Sequence, residues 1–540
     1  MIKKLIRIEE ITLLLDEDEK LLEGKILKIL NIQKTDLLKF EIVKKAVDSR
    51  DKSKILFVYS LNIDTKDNEK IINYKNPIFQ KNVKKHKIRL IEPFIYTIDK
   101  VDISKVKNRP VIIGSGPSGL LAGTILAEAG LNPIILERGS EVKQRVIDVH
   151  NLFTKREFKK NSNVQFGEGG AGTFSDGKLY TLVNDPRSKY IFEEFVKAGA
   201  PEEIIYSARP HIGTDRLRSV VRNMRKKIIS LGGEVRFDTL VTDLEIENNK
   251  IKNVILENGE KIRTDDLIIA IGHSARDTYE MLYNKGMEIK QKPFAVGLRI
   301  EHPRELINKS QYGESCTHIK LGAASYKLVS HDESERSVYS FCMCPGGHVV
   351  LAASEEGMLT VNGMSEYNQN SENSNSALLV NVNPSDFGSD HPLAGVEFQR
   401  KWEKATYELG GSNFNAPAQL VGDFLNRKAS TKLGKIGTTY KPEITLTSLD
   451  SCLPEFVIEA IRKAIPMLDK KIAGFANPDA LLIGIEARTS SVIRMFRDEN
   501  CESNISGIYP AGEGAGYAGG ITSSAIDGLV VGEKIINKYK

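Results

Sequence analysis

The chain has 540 residues, of which 41% are hydrophobic and 27% are charged, as in a globular protein of several domains. Its 76 Lys and Arg residues against 71 Asp and Glu residues leave a net charge of +5, which argues against nucleic acid as the main partner. Five cysteines do not make a disulfide framework, and neither a signal-type segment nor a membrane-spanning apolar run is visible. We therefore expect a cytoplasmic protein with reduced thiols.

Residues 1–95 predict a small separate module. "LIRIEEITLLL" is strand-like, "EDEKLLEGKILKILNI" has helical spacing of Leu and Ile, and two alternating segments flank "DKS" as a hairpin. This β-α-β-β order indicates an α+β unit of ferredoxin-like type. The polar segment 65–90 is predicted to be a linker, whose basic residues could contact RNA or a partner protein or could simply face solvent.

"VIIGSGPSGLLAG" at 111–123 predicts a dinucleotide site, because a buried strand precedes the glycines and an Ala/Leu helix follows them. The helix start would offer unpaired N–H groups to a pyrophosphate. The next strand, "PIILE", ends in Glu137, which could accept both ribose hydroxyls of the adenosine. The predicted phosphate-binding residues are Gly114, Gly116, Pro117, Ser118 and Gly119.

A second G-x-G-x-x-G match, "GAGYAG" at 514–519, is not predicted to be a second dinucleotide site. The helix after it runs to the last residues, so no second strand can bring an acid to a ribose. The segment instead suits the far end of an FAD, with Glu513 accepting a hydrogen bond from a ribityl hydroxyl. A helix start near Gly520 and Ile521, together with Gly512, would face the flavin ring.

The chain resembles a bacterial family of FAD-dependent, or NAD(FAD)-utilising, dehydrogenases in the glutathione-reductase-type FAD superfamily. The resemblance covers nearly the whole chain. It is carried by "GSGPSGLLAG" with "LERG", "FGEGGAGTFSDGKLY", "IIAIGHSARDT", "FCMCPGGHVV", "IEARTSS" and "AGEGAGYAGGITSSAIDG". It implies that Glu137 and Arg138 lie by the adenosine ribose, that the backbone of Val241 contacts the adenine, and that Gly272 ends a strand passing the cofactor. The segment predicted to follow the ribityl chain and ring supplies Gly169, Gly170, Ala171, Thr173, Ser175 and Lys178.

The expected fold class is α/β, with a Rossmann-like FAD-binding domain, an inserted α+β substrate or cap domain, and the N-terminal module. The predicted boundaries are 1–95 for the module, 96–292 and 481–540 for the FAD-binding domain, and 293–480 for the inserted domain. Within the insert, the polar stretch 361–381 is predicted to be an exposed loop.

Several residues are candidates for the chemistry beside a flavin. His273 could exchange a proton or hold a carbonyl, and Arg488 could grip a substrate carboxylate or form a salt bridge with a nearby acid. Cys342 and Cys344 could be a redox pair, although C-x-C is a poor disulfide spacing in a strand, and a role lining the substrate pocket is the better interpretation. No metal site is predicted.

These patterns favour an FAD-dependent oxidoreductase that transfers a hydride between FAD and a small organic substrate. Two alternatives stay open: a flavoprotein with a structural or regulatory FAD whose N-terminal module recruits RNA or a protein, and an FAD-dependent enzyme that modifies RNA or protein. No second complete βαβ fingerprint is present, so NAD(P)H is expected to bind at most transiently. The sequence does not indicate an oligomeric state.

Overall fold

Three larger sheets, of four, five and seven strands, organise the fold, and smaller sheets of two or three strands join them. The computed structural model describes residues 3–73, 77–331 and 336–540. The N-terminal elements are β1 (Leu5–Leu14), α1 (Leu21–Leu30), β2 (Leu37–Asp48), β3 (Leu56–Thr65), α2 (Asn68–Ile72), α3 (Pro77–Lys85) and β4 (Arg89–Ile91).

The N-terminal sheet has the order β2-β3-β1-β4, and every neighbouring pair is antiparallel. Its inner face is covered by α1, which buries Leu22, Ile26 and Leu30 at helical spacing. The β-α-β-β order predicted from the sequence is present. The linker prediction for 65–90 is wrong, because this segment supplies α2, α3 and the edge strand β4, which pairs with β1 through Arg7 and Arg89. Residues 74–76 of that segment lie outside the described residues.

The middle of the chain supplies most of a five-stranded parallel sheet, in the order β23-β11-β5-β6-β7. The residues of β5, β6 and β11 are buried throughout, as parallel strands covered on both faces require. The elements of this part are β5 (Val111–Ile113), α4 (Pro117–Ala129), β6 (Ile134–Leu136), α5 (Val142–Lys155), α6 (Arg187–Lys197), α7 (Thr214–Ser230), β7 (Glu234–Arg236), β8 (Val241–Glu247), β9 (Lys250–Leu256), β10 (Lys261–Arg263), β11 (Leu267–Ile269) and α8 (Arg276–Asn284).

The remaining elements build the seven-stranded sheet and then return to the parallel one. They are β12 (Ile289–Gln291), β13 (Phe294–Pro303), α9 (Arg304–Tyr312), β14 (Val329–Ser330), β15 (Val338–Cys344), β16 (His348–Leu351), β17 (Val361–Met364), β18 (Asn373–Val382), α10 (Ala394–Leu409), β19 (Ala416–Leu420), α11 (Val421–Leu425), β20 (Ile444–Leu446), α12 (Glu455–Asp469), β21 (Leu481–Glu486), β22 (Ile493–Met495), β23 (Ile508–Pro510) and α13 (Ile521–Lys538). The last strand and helix complete the parallel sheet and its covering layer.

The seven-stranded sheet has the order β14-β15-β18-β13-β21-β19-β20. Its strand β21 covers Leu481–Glu486, a segment that the predicted boundaries place in the FAD-binding domain. The division into four domains stays a prediction. The fold itself is a mixed α/β arrangement with one parallel sheet, several antiparallel sheets, and a seven-stranded sheet that is antiparallel except for the parallel pair β19 and β20.

The polar stretch 361–381 is an irregular loop only at residues 365–372, and the prediction of an exposed loop is wrong for the rest of it. It forms β17 and most of β18, and nine of the ten residues of β18 are buried. Several of the buried polar atoms have partners: Asn375 Oδ1 accepts from Arg299 Nε at 2.7 Å, and Ser374 Oγ accepts from Gly346 N at 3.0 Å, whereas Asn375 Nδ2 has no partner among the described residues. A satisfied polar group can be buried at little cost, so composition alone misjudged this strand.

The short strands of 234–269 agree with the sequence. The turn between β8 and β9 is made by Asn248 and Asn249, both with positive φ, as a two-residue hairpin turn requires. None of the helices within 3–73, 77–331 and 336–540 is long and apolar enough to cross a membrane.

Candidate functional site

Two helix N-termini open onto one cavity of about 1540 Å³. Pro117 and Ser118 of α4 line it, and so do residues 520–524 at the start of α13. The two helices pack against each other and run in the same direction, since Gly528 lies on Ser118 while Gly532 lies on Ala122 and Ile125. Their positive dipole ends therefore point to the same side of the molecule, where negative charge is stabilised.

The glycines of the first fingerprint have two different tasks. A Cβ on Gly114 would lie 2.3 Å from Ala270 O, and a Cβ on Gly119 would lie 2.0 Å from Gly114 O. These two positions need glycine so that α4 can pack on the strands. Gly116 lines the cavity, and a Cβ there would meet nothing nearer than Gly170 Cα at 3.9 Å. Gly116 therefore leaves room for a ligand, whereas Gly119 does not line the cavity, and the predicted phosphate contact stays a prediction.

Glu137 at the end of β6 is buried on the cavity wall and ties three loops together. Its Oε2 accepts from Ser115 N and Oγ, at 2.9 and 2.8 Å. Its Oε1 accepts from Gly139 N at 2.9 Å and from Gly167 N at 3.1 Å. A carboxylate has about four acceptor positions, so a ribose hydroxyl would have to share or replace one of these bonds. The predicted ribose contact stays a prediction.

Arg138, Val241 and Gly272 also line the cavity. The guanidinium of Arg138 donates to both carboxylate oxygens of Asp277, at 3.0 and 2.9 Å, and lies over the ring of Phe166 at 4.5 Å. It is thus a fixed wall of the predicted adenosine end. Ser118 lines the same cavity, and its hydroxyl has no hydrogen-bond partner among the described residues.

The glycine-rich segment 166–180 is only partly at the cavity. Gly170, Ala171, Ser175 and Lys178 line it, whereas Gly169 and Thr173 do not. The hydroxyl of Thr173, predicted to face the cofactor, is buried and donates to Glu168 O at 3.0 Å. It fastens the loop rather than facing a ligand, which corrects the prediction for that residue.

His273 and Glu513 lie side by side on the cavity wall near the start of α13, where His273 Nε2 and Glu513 Oε1 are 4.0 Å apart. Burial, followed by the charges of Arg488 and Arg276, lowers the pKa of His273 to about 4. Burial raises the pKa of Glu513 to about 7, against the opposing effects of Lys292 and the N–H of Gly520. The imidazole is therefore neutral at pH 7, while the carboxyl can hold or release a proton.

Arg488 lines the cavity but is held in an ion pair, which is the second alternative for this residue. Its Nε and Nη2 donate to the two carboxylate oxygens of Glu403, at 2.9 and 2.7 Å, and its Nη1 donates to Ser354 Oγ. Glu403 also pairs with Arg276. Although burial opposes it, these two arginines lower the pKa of Glu403 to about 2. The prediction of a carboxylate anchor therefore fails on geometry, because the guanidinium face is already occupied.

Cys342 and Cys344 are both free thiols on the cavity wall. Lys178 Nζ and Arg299 Nη2 each lie 3.6 Å from Cys344 Sγ, and Arg299 also forms a buried ion pair with Glu486. Burial raises the pKa of Cys342 to about 12 and raises the pKa of Cys344 as well. Protonated thiols that line a pocket fit these surroundings better than a reactive pair does.

Sequence reasoning missed the wall opposite the fingerprint. It is made by residues 44–49 of β2 and the loop that follows it, by residues 203–211 and by residues 319–327. No local motif marks these segments, which come together only through the tertiary fold. No cluster of His, Cys, Asp or Glu in the described ranges is arranged to hold a metal ion.

Comparison with solved structures gives only distant likenesses. A mutant of the halogenase PltM in complex with FAD has a TM-score of 0.40 and 12% identity, covering 80% of this chain and 70% of that one. L-proline dehydrogenase from P. horikoshii has a TM-score of 0.35 and 15% identity, covering 82% of this chain and 95% of that one. At these scores the likenesses carry no argument about activity.

Family models and a full-length relative are more informative. Residues 293–489 match the model of the FAD-dependent protein, C-terminal domain-like family, and residues 5–64 match a domain of unknown function. A protein of Clostridium beijerinckii, described as uncharacterized, is 46% identical over 536 residues, which cover 99% of each chain. The chain therefore belongs to the same family as this clostridial protein, and its residues 293–489 match the C-terminal domain of FAD-dependent proteins.

Proposed function

We propose that this FAD-dependent protein is an oxidoreductase that exchanges a hydride with a small organic substrate. The observation that carries the proposal is the pair His273 and Glu513, whose pKa values of about 4 and about 7 are displaced in opposite directions at one cavity wall. Such a separation is typical of sites that divide the roles of hydrogen-bond partner and proton carrier.

The residues of the cavity fit FAD. The start of α4, with the open Gly116 and the unpartnered hydroxyl of Ser118, suits a pyrophosphate. The start of α13 at Gly520 and Ile521 suits the ring end, because a helix N-terminus favours the negative charge of a reduced flavin. When bound, FAD supplies a hydride acceptor.

Glu513 is the proposed proton carrier. Its pKa of about 7 leaves it near half protonation at neutral pH, where proton exchange is most effective. His273 stays neutral there, so it can accept a hydrogen bond from Glu513 or from a substrate hydroxyl. The sequence also led us to expect that the Glu513 carboxylate accepts a hydrogen bond from a ribityl hydroxyl. Of these two roles, the raised pKa of Glu513 favours proton exchange.

The proposal also covers the substrate and the electron donor. We expect a small-molecule substrate and, as donor, transient NAD(P)H without a dedicated domain. Arg488 is no longer the proposed substrate anchor, since Glu403 and Ser354 occupy its donors. Its proposed role is electrostatic, because together with Arg276 it keeps His273 uncharged.

The alternative, a structural FAD with an N-terminal module that recruits RNA or a protein, remains the second candidate. One edge of that module is already used within the chain. Lys45 N of β2 donates to Tyr206 O at 2.7 Å, and Ala208 N donates to Lys45 O at 2.9 Å. This observation favours a module that completes the cavity over a free recruiting unit.

The test is anaerobic reduction of the purified, FAD-loaded protein by NADH, NADPH and a panel of metabolites. The loss of flavin absorbance measures the reduction. With a metabolite donor whose oxidation releases a proton as well as a hydride, Glu513→Gln should slow reduction by about 100-fold or more while FAD stays bound, because the proton carrier is lost. The rate of the parent protein should titrate near pH 7, and the rate of the variant should not. Glu499→Gln, at an exposed acid of the same region, is the matched control.

Two results would overturn the proposal. One is the absence of reduction by every donor in the panel. The other is reduction of Glu513→Gln at the parental rate with the parental pH profile.

A further inference from the structure

The cavity is larger than one ligand requires. Its volume of about 1540 Å³ exceeds the range of about 300–1,000 Å³ that is usual for ligand sites. Besides the two helix starts, another part of its lining comes from the segments 44–49, 180–183, 203–211 and 319–327. We call this part the vestibule.

The N-terminal sheet is fastened in place as a wall of the vestibule. Besides the two backbone hydrogen bonds between β2 and residues 206–208, Lys320 Nζ donates to Leu15 O at 2.8 Å and to Glu17 O at 3.2 Å. His318 also lies 3.1 Å from Asp16. These bonds join residues 206–208 and residues 318–320 to the N-terminal sheet and to the loop that follows β1. The vestibule is therefore held in place by specific contacts.

The vestibule carries an excess of positive charge. Its basic side chains are Lys44, Lys45, Arg209, Lys320 and Lys327, and its acidic side chain is Glu203. Lys45 is neutralised by Glu19 at 2.6 Å. The ammonium groups of Lys44 and Lys327 are exposed and have no hydrogen-bond or ion-pair partner within the described ranges.

The same opening exposes large apolar side chains. Ile319 is 95% exposed, Leu182 is 80% exposed and Tyr180 is 59% exposed, and Val47 and Val183 lie on the same wall. Apolar groups gathered at the mouth of a cavity usually mark the place where a partner or ligand covers them. Together with the free lysines, they make a surface that is both apolar and cationic.

We propose that the vestibule binds an anionic amphiphile: an apolar chain or ring system that carries one carboxylate or phosphate. The anionic head would lie at Lys44 and Lys327, and the apolar body would cover Leu182 and Ile319 and extend inward. This inference deepens the proposed function, on which its role as substrate rests, by naming the substrate class. Binding itself can be measured without any turnover.

The first experiment is calorimetric titration of the full-length, FAD-loaded protein with four probes below their micellar concentrations. They are dodecanoate, dodecyl phosphate, dodecyltrimethylammonium and inorganic phosphate. The two alkyl anions should bind at least tenfold more tightly than the alkyl cation, because only they complement both the lysines and the apolar wall. Inorganic phosphate should bind weakly, and the comparison of the two anions identifies the preferred head group.

The second experiment uses variants of the vestibule. Lys44→Glu combined with Lys327→Glu should weaken binding of the alkyl anions about tenfold, since two favourable charge interactions become unfavourable. Lys39→Glu, at an exposed lysine on the same strand outside the cavity, is the control. Ile319→Ser should weaken the same probes, whereas Ile103→Ser, at an exposed isoleucine elsewhere, should not.

Three outcomes would overturn the inference. The first is equal affinity for alkyl anions and the alkyl cation, or affinity that the double variant leaves unchanged. The second is that NADPH binds in a way that depends on Lys44 and Lys327, while no alkyl anion binds. The third is a dimer that Ile319→Ser converts to monomers, which would make the opening a subunit interface.

The proposed function fails separately. Protein that retains FAD but is reduced by no donor would contradict the proposed reaction, while the calorimetric titration would still report on the vestibule.

Discussion

The two ends of the cavity are built from different materials. The end at the two helix starts is formed by glycines, strand ends and the first turns of α4 and α13, together with Arg138, His273 and Glu513. The lining of the vestibule comes from four separated segments, which carry lysines and large apolar residues. The first end therefore offers helix N-termini and ionisable groups to the proposed FAD, whereas the vestibule offers positive charge and apolar area to the proposed amphiphile.

The largest effect is expected where the backbone wall is packed most closely. In Gly119→Ala the new Cβ would lie 2.0 Å from Gly114 O, a backbone atom that cannot move without opening the turn. We expect a loss of more than about 3 kcal/mol in the free energy of unfolding and no retained FAD. Chemical denaturation and the flavin content of the purified protein measure both effects.

The matched control for that substitution is Gly24→Ala. Gly24 lies inside α1, and a Cβ there would meet nothing within 4 Å. This variant should be more stable than the parent by about 0.5–1 kcal/mol, because alanine favours helix. A stable, yellow Gly119→Ala protein would contradict the assignment of that glycine to close packing.

A smaller effect is expected from Gly116→Val, which separates ligand binding from folding. Gly116 has φ −71° and ψ −177°, which valine can adopt, and its Cβ would have open space around it. The FAD-free variant should melt within about 1 kcal/mol of the FAD-free parent, but its affinity for FAD should fall about 100-fold, as the side chain would occupy the phosphate approach. FAD titration by fluorescence quenching checks this, and unchanged affinity would place the phosphates elsewhere.

The smallest effect concerns the pH dependence of stability in the FAD-free protein. The folded-state pKa of Glu513 is about 7, above its ordinary value of 4.5, so the folded state holds this proton more tightly than the unfolded state. Its contribution to stability is present below pH 4.5 and is lost as pH rises towards 7. Glu513→Gln should therefore gain stability relative to the parent over this interval, by about 2.5 kcal/mol.

Denaturation at several pH values between 4 and 8 measures that difference. The pKa of His273 is lowered, so its contribution to the free energy of unfolding is lost as pH falls below 6.5, which is the opposite direction to that of Glu513. This loss occurs in both proteins. The difference between the two curves therefore isolates Glu513, and parallel curves would show that its pKa is not raised.

The features that the sequence predicted correctly are those that depend on a few neighbouring residues. The fingerprint at 114–119, the strand ending at Glu137 and the helix start at Gly520 are short local patterns, and the structure brings them to one cavity. The N-terminal strands and the hairpin at Asn248 and Asn249 were also predicted, because turn chemistry and alternation act over a few residues.

The rest depends on contacts between distant segments. The burial of β18 depends on Arg299, which reaches Asn375 from the neighbouring strand. The pairing of Arg488 depends on Glu403 in α10, and Lys44 and Lys327 line the same cavity only because the N-terminal sheet docks there. No pattern within a short window specifies such pairs, so composition alone could not distinguish a buried strand from a loop or an anchor from a salt bridge.

The position of β23 and α13 in the chain has a consequence for biosynthesis. The strand that completes the parallel sheet and the second helix start come from residues 508–538, while the fingerprint lies near residue 114. A chain that has not yet been extended through residues 508–538 therefore carries only one of the two helix starts that we propose for FAD. On this proposal, tight flavin binding requires that segment to have folded onto the parallel sheet.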